Sequence, residues 1–335
     1  MDSRGHSVLF TFRDREFVGE LLNELGFDSI RTGPHFQHPV FKLLGLFIHD
    51  VKLLCIARKF KPTLFLSCGS MYAAQVAFLT GKPHVTLEDT GNMEQINLYK
   101  PFTKVILTPS CFHKNLGYRQ LRYPSYHELA YLAPGFYSPD PAVLEKHRIN
   151  SDGPVVLIRF VSWKASHDFG KSGLYRSEKI GLVRVLKELN CTVRISSDRE
   201  LPEELVQYRL KIPPHEIHDV LAAIDLYIGE GATMASECAM LGTPAIYINP
   251  IEADTINEQE NYGLLFHFRN YEGVIDKVKA MLRQSDLKEK SEEKRRRMLS
   301  EKISLTPFLV WFIEKYPESH NQMKANPSIQ QKFKF

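Results

Sequence analysis

The sequence contains few cysteines, and they follow no recognised pattern. The 335 residues include five cysteines, with no CxxC pair and no histidine at metal-ligand spacing. Disulfide frameworks and zinc sites both need such patterns, so an odd and dispersed set is typical of reduced thiols. The sequence therefore predicts a cytoplasmic protein without a metal site. The five are Cys55, Cys68, Cys111, Cys191 and Cys238.

Long uncharged hydrophobic runs are also missing. The longest apolar segment, residues 41–60, contains several charged or titratable side chains, and the start of the chain lacks the apolar core of a signal peptide. We expect no membrane span. Two interpretations of the segment remain, a helix that packs in a core and a helix that rests on an anionic membrane face. The first is the simpler.

An excess of charge of one sign is missing as well. The 43 Lys and Arg residues against 39 Asp and Glu residues give a formal net charge of only +4. The densest basic run, "KEKSEEKRRRM", is interleaved with glutamates, as is typical of a solvated helix face. We therefore expect no nucleic-acid partner.

Apolar strands that alternate with helical stretches run through the whole chain. Segments such as "LFLSC", "HVTLED", "VVLIRF" and "PAIYIN" are rich in branched residues, and helical patterns separate them. This alternation is typical of parallel sheets covered by helices on both faces. A chain of this length exceeds what one core usually organises. The predicted fold class is α/β, with two Rossmann-like doubly wound domains.

A cluster of prolines and glycines in residues 131–154 indicates a linker between the domains. We predict a first domain over residues 1–134, a linker over 135–153 and a second domain over 154–302. A helix over 303–317 is expected to pack back toward the first domain, and residues 318–335 form a polar tail. In doubly wound sheets, ligands bind at the carboxyl ends of the strands.

The stretch "LYIGEGATMASECAMLG" carries the most informative pattern. Its small residues lie between a strand and a helix that opens near Thr233, where a phosphate could approach unpaired backbone N–H groups. Glu237 follows one turn later on the same helix face and could accept hydrogen bonds from a ribose diol. A tight turn, with Glu237 stabilising the helix dipole, explains the pattern equally well. The candidate residues are Gly229, Glu230, Gly231, Ala232, Thr233 and Glu237.

Polar residues also follow other strands. Glu88 and Asp89 end "HVTLED", where a desolvated carboxyl group suits proton transfer, although Asp89 or Thr90 could simply cap the next helix. Arg159 and Lys164 follow "VVLIRF" and could neutralise a diphosphate. Three residues of "LSCGS" are predicted to lie on the acceptor side of a site, namely Ser67, Gly69 and Ser70.

The segment "SECAMLGTPAI" resembles the nucleotide-binding element of GT-B glycosyltransferases and of non-hydrolysing UDP-N-acetylglucosamine 2-epimerases, which share that fold. In both groups a carboxylate ahead of a small-Gly-x-Pro turn holds the nucleotide ribose, and Glu237 matches it here. The resemblance implies two domains that face a cleft. Glu230 resembles a second, sugar-contacting glutamate of retaining transferases, but one residue fewer than in that pattern separates it from Glu237.

Two further positions of the chain resemble residues of the epimerases. They place a catalytic glutamate where Glu88 stands and a histidine where His167 stands. They also carry an aspartate where this sequence has Ser70, which weakens the implied epimerase chemistry.

The pattern as a whole closely resembles a GT-B-like family known only as a domain of unknown function. The segments that carry it are "TFRD", "LSCGS", "LEDTG", "ILTPS", "IRFVSWKASHD" and "GEGATMASECAMLGTP". Members usually begin with an additional strand, so either the start of this chain is misassigned or its N-terminal sheet lacks the first strand.

These resemblances imply a glycosyltransferase of glycan or envelope biosynthesis that uses a UDP-like nucleotide sugar. Glu88, Asp89 and His167 are its candidate catalytic residues. No DxD sequence is present, so we expect a metal-independent reaction with no cofactor beyond the nucleotide sugar. The alternatives are a sugar-nucleotide epimerase and a binding protein without catalysis. The acceptor is unidentified, and a lipid-linked one would place the protein at the inner membrane face.

Overall fold

The computed structural model describes residues 1–14, 18–34, 39–149, 152–161 and 173–335. Its contacts divide the chain into two compact units. Unit 1 combines Met1–Tyr123 with Phe308–Gln330, and unit 2 combines Pro124–Pro307 with Gln331–Phe335. The first division therefore follows Tyr123, ahead of the boundary at residue 134 that the proline cluster suggested.

The described strands of unit 1 form two separate parallel sheets. One pairs β1 (Phe10–Arg13) with β2 (Ser29–Gly33), and the other has the order β3-β4-β5-β6. Among the described residues, β1 and β3 each pair with one strand only. Over the described residues, the strands of unit 1 thus fall into a two-stranded and a four-stranded sheet. The second sheet consists of β3 (Phe65–Cys68), β4 (His84–Leu87), β5 (Val105–Pro109) and β6 (Gln120–Tyr123).

Burial distinguishes the inner strands of unit 1 from its edge strands. Every residue of β4 and β5 is buried, whereas the β3 residue Leu66 is 50% exposed. The sequences of strands that are covered on both faces are mostly continuous apolar runs, whereas those of edge strands are not. The helices that accompany these strands are α1 (Val18–Glu24), α2 (Pro39–Phe60), α3 (Met71–Leu79) and α4 (Met93–Tyr99).

In the described part of unit 2, five strands form a parallel sheet in the order β11-β10-β9-β7-β8. Its core packs apolar residues of the strands, such as Ile158, Ile228 and Ile246, against Leu182 and Val278 of the flanking helices. Because β7 pairs with β8 on one side and with β9 on the other, the strand order reverses between β7 and β9. The strands are β7 (Val155–Phe160), β8 (Thr192–Ser197), β9 (Leu226–Gly229), β10 (Ala245–Ile248) and β11 (Leu265–Phe268).

Seven helices belong to unit 2, counted over the described residues. They are α5 (Val143–Lys146), α6 (Arg176–Glu188), α7 (Ile217–Ala223), α8 (Ala232–Leu241), α9 (Asp254–Asn261), α10 (Val274–Leu282) and α11 (Leu287–Glu301). The predicted α/β class with parallel sheets is confirmed. No helix within the described ranges combines the length and the apolar character that a bilayer crossing needs.

The predicted polar tail contains a helix. The chain continues from α12 (Leu305–Glu314) into α13 (Glu318–Ala325) and a 3-10 helix, Pro327–Phe333. Ser319 and Met323 of α13 are buried, and the Ser319 hydroxyl donates to the carbonyl of Phe312 at 2.5 Å. Two buried side chains on one face are enough to fix a helix whose other residues are mostly polar.

Candidate functional site

The point where the strand order of unit 2 reverses brings together residues of two predicted segments. Arg159 of β7 pairs in register with Gly229 of β9, and the Glu230 N–H donates to the Arg159 carbonyl at 3.1 Å. In doubly wound sheets this switch point is where ligands bind, outside the carboxyl ends of the strands. The described part of unit 2 therefore has its candidate site at the ends of β7 and β9.

Close packing of the neighbouring side chains requires glycine at position 229. A Cβ atom at this position would lie 2.2 Å from the hydroxyl oxygen of Tyr227 and 2.9 Å from the Cβ atom of Arg159. Tyr227 is fully buried, and burial raises the pKa of its hydroxyl well above the usual value. The close approach of this neutral side chain explains the glycine without any ligand.

The N-terminus of α8 follows directly. Gly231 is the N-cap residue, and within the described chain no side chain caps it. The N–H groups of the first helical turn, including those of Ala232 and Thr233, lack an intrahelical partner by geometry. A Cβ atom at Gly231 would lie at an ordinary 3.4 Å from Val161, so the absence of a side chain here is not a packing requirement. This helix start can accept an anion.

Arg159 contributes a cation at the same edge of the sheet. Its Nη1 donates to the hydroxyl of Ser196 at 2.6 Å, and its Nη2 donates to the carboxylate of Asp198. Both partners belong to the end of β8 or follow it directly. These bonds hold the guanidinium group in one orientation and compensate part of its charge.

Glu230 is 1% exposed, and both of its carboxylate oxygens accept backbone hydrogen bonds. Oε2 accepts from the Val161 N–H at 3.0 Å, and Oε1 accepts from the Leu174 N–H at 2.6 Å. The Glu230 carbonyl also accepts from the side chain of Asn249 at 2.9 Å. Glu230 thus ties the end of β7 to the residues that precede α6.

Glu237 lies in the middle of α8 and is 8% exposed. Its Oε1 accepts two hydrogen bonds, from the Tyr131 hydroxyl at 2.9 Å and from His218 Nε2 at 3.0 Å. The Tyr131 and His218 rings lie 5.5 Å apart, centre to centre. None of the described residues donates to Oε2, which leaves one carboxylate oxygen for a ligand.

Glu88 in unit 1 is buried and accepts four hydrogen bonds. Its Oε1 accepts from the N–H and the hydroxyl of Thr90 and from the Gly91 N–H, at 2.6–3.0 Å, and its Oε2 accepts from the Tyr99 hydroxyl at 2.6 Å. Burial beside this carboxylate raises the pKa of Tyr99, which keeps its proton. Asn92, rather than Asp89 or Thr90, caps α4. The carboxyl group of Glu88 therefore holds the loop that follows β4.

The acceptor-side candidates belong to the same polar network. The Ser67 hydroxyl lies 2.8 Å from His84 Nε2, the Gly69 N–H donates to Thr86 at 2.8 Å, and Ser70 caps α3. Gly69 has a φ of +63°, a conformation that favours glycine. Each of these residues makes a local bond that supports the loop between β3 and α3.

Two predicted residues, Lys164 and His167, lie outside the described residues, and so do Trp163 and Asp168. Within the described ranges no group of three or more His, Cys, Asp or Glu side chains could hold a metal ion. The structure brings together Arg159, Glu230 and the start of α8. The candidates Ser67, Gly69, Ser70, Glu88 and Asp89 form a separate group in unit 1.

Sequence reasoning missed the two side chains that donate to Glu237. Tyr131 and His218 contact Glu237 from separate parts of the chain, so no local pattern indicated them. Asp50 is a carboxylate within α2. Burial raises its pKa to about 6, and its Oδ1 has no hydrogen-bond partner among the described residues.

Comparisons with known proteins match nearly the whole chain. A family model described as "Protein of unknown function (DUF354)" matches residues 1–305. An uncharacterized protein of Methanocaldococcus jannaschii is 25% identical over 263 residues, which cover 75% of this chain and 76% of that protein. The predicted resemblance to a family of unknown function is confirmed.

Solved structures of nucleotide-sugar enzymes have a similar fold. The glycosyltransferase SsfS6 of Streptomyces sp. SF2575, complexed with thymidine diphosphate, has a TM-score of 0.59 and 14% identity, over 94% of this chain and 93% of that chain. A putative UDP-N-acetylglucosamine 2-epimerase from Listeria monocytogenes has a TM-score of 0.59 and 12% identity, over 88% of this chain and 86% of that chain. At these identities the likeness concerns the fold, and the predicted GT-B type is confirmed.

Proposed function

The chain belongs to the DUF354 family of proteins of unknown function, and we propose that it is a glycosyltransferase that takes its sugar from a nucleoside diphosphate without a bound metal ion. The observation that carries the proposal is the pairing of Arg159 with Gly229 at the switch point of unit 2, next to an uncapped helix start. Similarity to a glycosyltransferase that was solved with thymidine diphosphate supports it.

The diphosphate is assigned to the start of α8. The N–H groups of Ala232 and Thr233 point along the helix axis, where the helix dipole favours an anion. Arg159 adds a fixed cation, although Asp198 compensates part of its charge. Lys164 is proposed as a further cation. Glu230 is proposed to shape this site through Val161 and Leu174 rather than to touch the sugar, because both of its oxygens are occupied.

The ribose is assigned to Glu237. Tyr131 and His218 fix its Oε1, so a ribose hydroxyl would donate to Oε2. A carboxylate held by two donors loses little side-chain freedom when the ligand binds, which favours affinity. Thr233 lies four residues earlier on the same helix face and links the two parts of the nucleotide site.

The base that activates the acceptor hydroxyl is proposed to be Asp89, with His167 as a second candidate. Glu88 is the weaker choice, because four local donors already occupy its two carboxylate oxygens. Ser67, Gly69 and Ser70 are kept as acceptor-side residues. They share a sheet with the end of β4, which Asp89 follows.

A lipid-linked acceptor is the finer part of the proposal. Phe47, Ile48 and Val51 of α2 are exposed, and so are the basic residues Arg58 and Lys59 at its end. Such a face can rest on an anionic membrane from the cytoplasmic side. Co-sedimentation with anionic and neutral lipid vesicles tests this, and equal recovery with both would contradict it.

An epimerase is the second candidate, favoured by the similar fold of the putative UDP-N-acetylglucosamine 2-epimerase. The engaged carboxylate of Glu88 and the helix-capping role of Ser70 speak against it. An epimerase changes its nucleotide sugar with no acceptor present, whereas a transferase needs one. Incubation of UDP-sugars with the protein alone therefore distinguishes the two activities.

The nucleotide site is tested by calorimetric titration with UDP, TDP, ADP and GDP. We expect the wild type to bind one pyrimidine diphosphate selectively. Glu237→Gln should weaken binding by roughly 10- to 100-fold, as expected for the loss of a charged hydrogen-bond acceptor. Glu289→Gln, the same change at an exposed position of α11, is the matched control and should bind like the wild type. A folded wild type that binds none of the four would refute the proposal.

A further inference from the structure

Unit 1 contains an open cavity of about 580 Å³ that none of the assigned residues lines. One wall comes from the loop after β5 and from β6, and the other comes from α13 and the residues that follow it. All of its lining residues belong to unit 1. They are Ser110, Asn115, Gly117, Gln120, Leu121, Arg122, Met323, Lys324, Pro327 and Gln330.

The charged residues that line the cavity are all basic. Arg122 and Lys324 are cationic, and none of its lining residues is acidic. Lys114 and Arg119 belong to the same loop region and add to the positive potential. Cations that gather in a concave surface without a compensating carboxylate attract anionic ligands.

Hydrogen bonds orient the guanidinium group of Arg122 and leave part of its N–H donors for a ligand. Its Nη1 donates to the Phe112 carbonyl, and its Nη2 donates to the Lys114 carbonyl at 3.1 Å. Within the described chain its Nε has no hydrogen-bond partner. Neutral carbonyl oxygens orient the guanidinium group but do not cancel its charge. A phosphate is a natural partner for such a pre-oriented fork.

Gln330 gives an independent indication of a ligand. The residue is 8% exposed, and its Oε1 is buried with no hydrogen-bond partner in the described structure. An unpaired buried amide oxygen costs about 1–3 kcal/mol, so a ligand donor that reaches it would be favoured. Asn115 uses its Oδ1 to accept from the Gly117 N–H at 2.8 Å, which leaves its NH₂ group for a ligand.

An aromatic ring lies beside the cations. Tyr118 is 75% exposed, and the Lys324 Nζ lies 5.8 Å from its ring centre, while the Arg119 guanidinium lies 5.2 Å from it on the same measure. An exposed ring of this kind offers a face to the apolar side of a sugar. Cations, amides and an aromatic face together suit a ligand with both a phosphate and hydroxyl groups.

We propose that this cavity binds a phosphate-bearing polyol, with Arg122 and Lys324 on the phosphate and Gln330 and Asn115 on the hydroxyl groups. All of these residues belong to unit 1, whereas the proposed nucleotide site uses residues of unit 2, so this inference does not depend on the proposed function. If the protein is a transferase, a sugar phosphate bound in unit 1 would be its acceptor or an effector, and both carry the phosphate and hydroxyl groups that this cavity suits.

The test is a calorimetric titration with glucose 6-phosphate, with inorganic phosphate and glucose as the comparison ligands. Saturating UDP is added first to occupy the nucleotide site. We expect glucose 6-phosphate to bind more tightly than inorganic phosphate, and glucose to bind least. Lys324→Gln should weaken glucose 6-phosphate binding by about tenfold, the effect of one charged hydrogen bond. Lys324 is exposed, so this variant is expected to fold.

Lys82→Gln is the matched control, because Lys82 is an exposed lysine of unit 1 that does not line the cavity. Gln330→Leu tests the hydroxyl contact and should reduce the advantage of glucose 6-phosphate over phosphate. No saturable binding, or equal binding by wild type and Lys324→Gln, would overturn the proposal. Equal affinity for phosphate and glucose 6-phosphate would overturn its polyol part. If UDP does not bind, the same titration without it still decides this question separately from the nucleotide site.

Discussion

At the scale of single residues, His84 shows how burial sets a charge state. The ring is completely buried, with Nε2 2.8 Å from the Ser67 hydroxyl and Nδ1 2.9 Å from the Thr103 hydroxyl. Desolvation lowers the pKa of His84 to about 4. The folded protein therefore keeps this histidine neutral under conditions in which an unfolded chain would protonate it.

This difference makes the stability of unit 1 depend on pH. In the unfolded chain His84 takes up a proton below about pH 6.5, while in the folded chain it does so only near pH 4. The contribution of His84 to the free energy of unfolding is fully present above pH 6.5. It decreases by about 3 kcal/mol in all as the pH falls toward 4. We expect the free energy of unfolding of the wild type to fall accordingly in urea titrations between pH 7 and pH 4.

The variant His84→Gln isolates the effect, because its side chain does not titrate. The difference in unfolding free energy between wild type and His84→Gln should be largest at pH 7 and should shrink toward pH 4. The control His113→Gln makes the same substitution at an exposed histidine of unit 1. A pH-independent difference for His84→Gln would contradict the assigned pKa.

At the scale of elements, Gly229 and Gly231 have different reasons to be glycine. A Cβ atom at Gly229 meets Tyr227 at 2.2 Å, whereas one at Gly231 meets Val161 at 3.4 Å. Gly229→Ala is therefore expected to destabilise the protein by about 1–3 kcal/mol through overpacking. Gly231→Ala should cost less, about 0.5–1 kcal/mol, because alanine is a poorer N-cap residue than glycine. Chemical denaturation of both variants checks this, and equal losses would show that Tyr227 moves aside freely.

The elements also show what the sequence could predict. The apolar strands of unit 2 and the helices between them were found from periodicity, because strand burial and helix amphipathicity both leave local patterns. The strand β6 was missed, since "QLRY" has two buried and two half-buried residues and no apolar run. The helix α13 was missed because only Ser319 and Met323 hold it in place.

The candidate site was predictable to a similar degree. Arg159 and the residues around Gly229 were found because strand ends and glycine turns are visible in a sequence. The partners of Glu237 were not, since Tyr131 and His218 are 106 and 19 positions away in the chain. The local roles of Glu88 and Glu230, as acceptors of backbone N–H groups, also depend on folded geometry that no pattern records.

At the scale of the whole molecule, the division into two units has consequences for unfolding. Each unit has its own hydrophobic clusters, and the chain passes between the units after Tyr123, after Pro307 and after Gln330. Units with separate cores are expected to unfold in separate steps when their ligands differ. UDP should stabilise unit 2 by about 2.7 kcal/mol at 100 times its dissociation constant, with little effect on unit 1.

Tryptophan fluorescence can resolve these steps. Trp311 lies in the part of α12 that belongs to unit 1, and the chain has only one other tryptophan, Trp163. In a Trp163→Phe background, fluorescence therefore follows unit 1, and circular dichroism follows the whole chain. We expect UDP to shift the dichroism transition more than the fluorescence transition. Coincident transitions that shift together would show that the units unfold as one.

The two bonds of Glu230 also bear on how the family can diversify. One buried carboxylate binds the backbone on both sides of residues 162–172, at Val161 and Leu174, so the ends of that segment are fixed independently of its length. Closing a longer segment costs only about 0.6 kcal/mol for each doubling. Insertions and deletions here would leave β7 and α6 in place. Natural variants of different length at this position are therefore expected to keep the same framework of β7, β9 and α6.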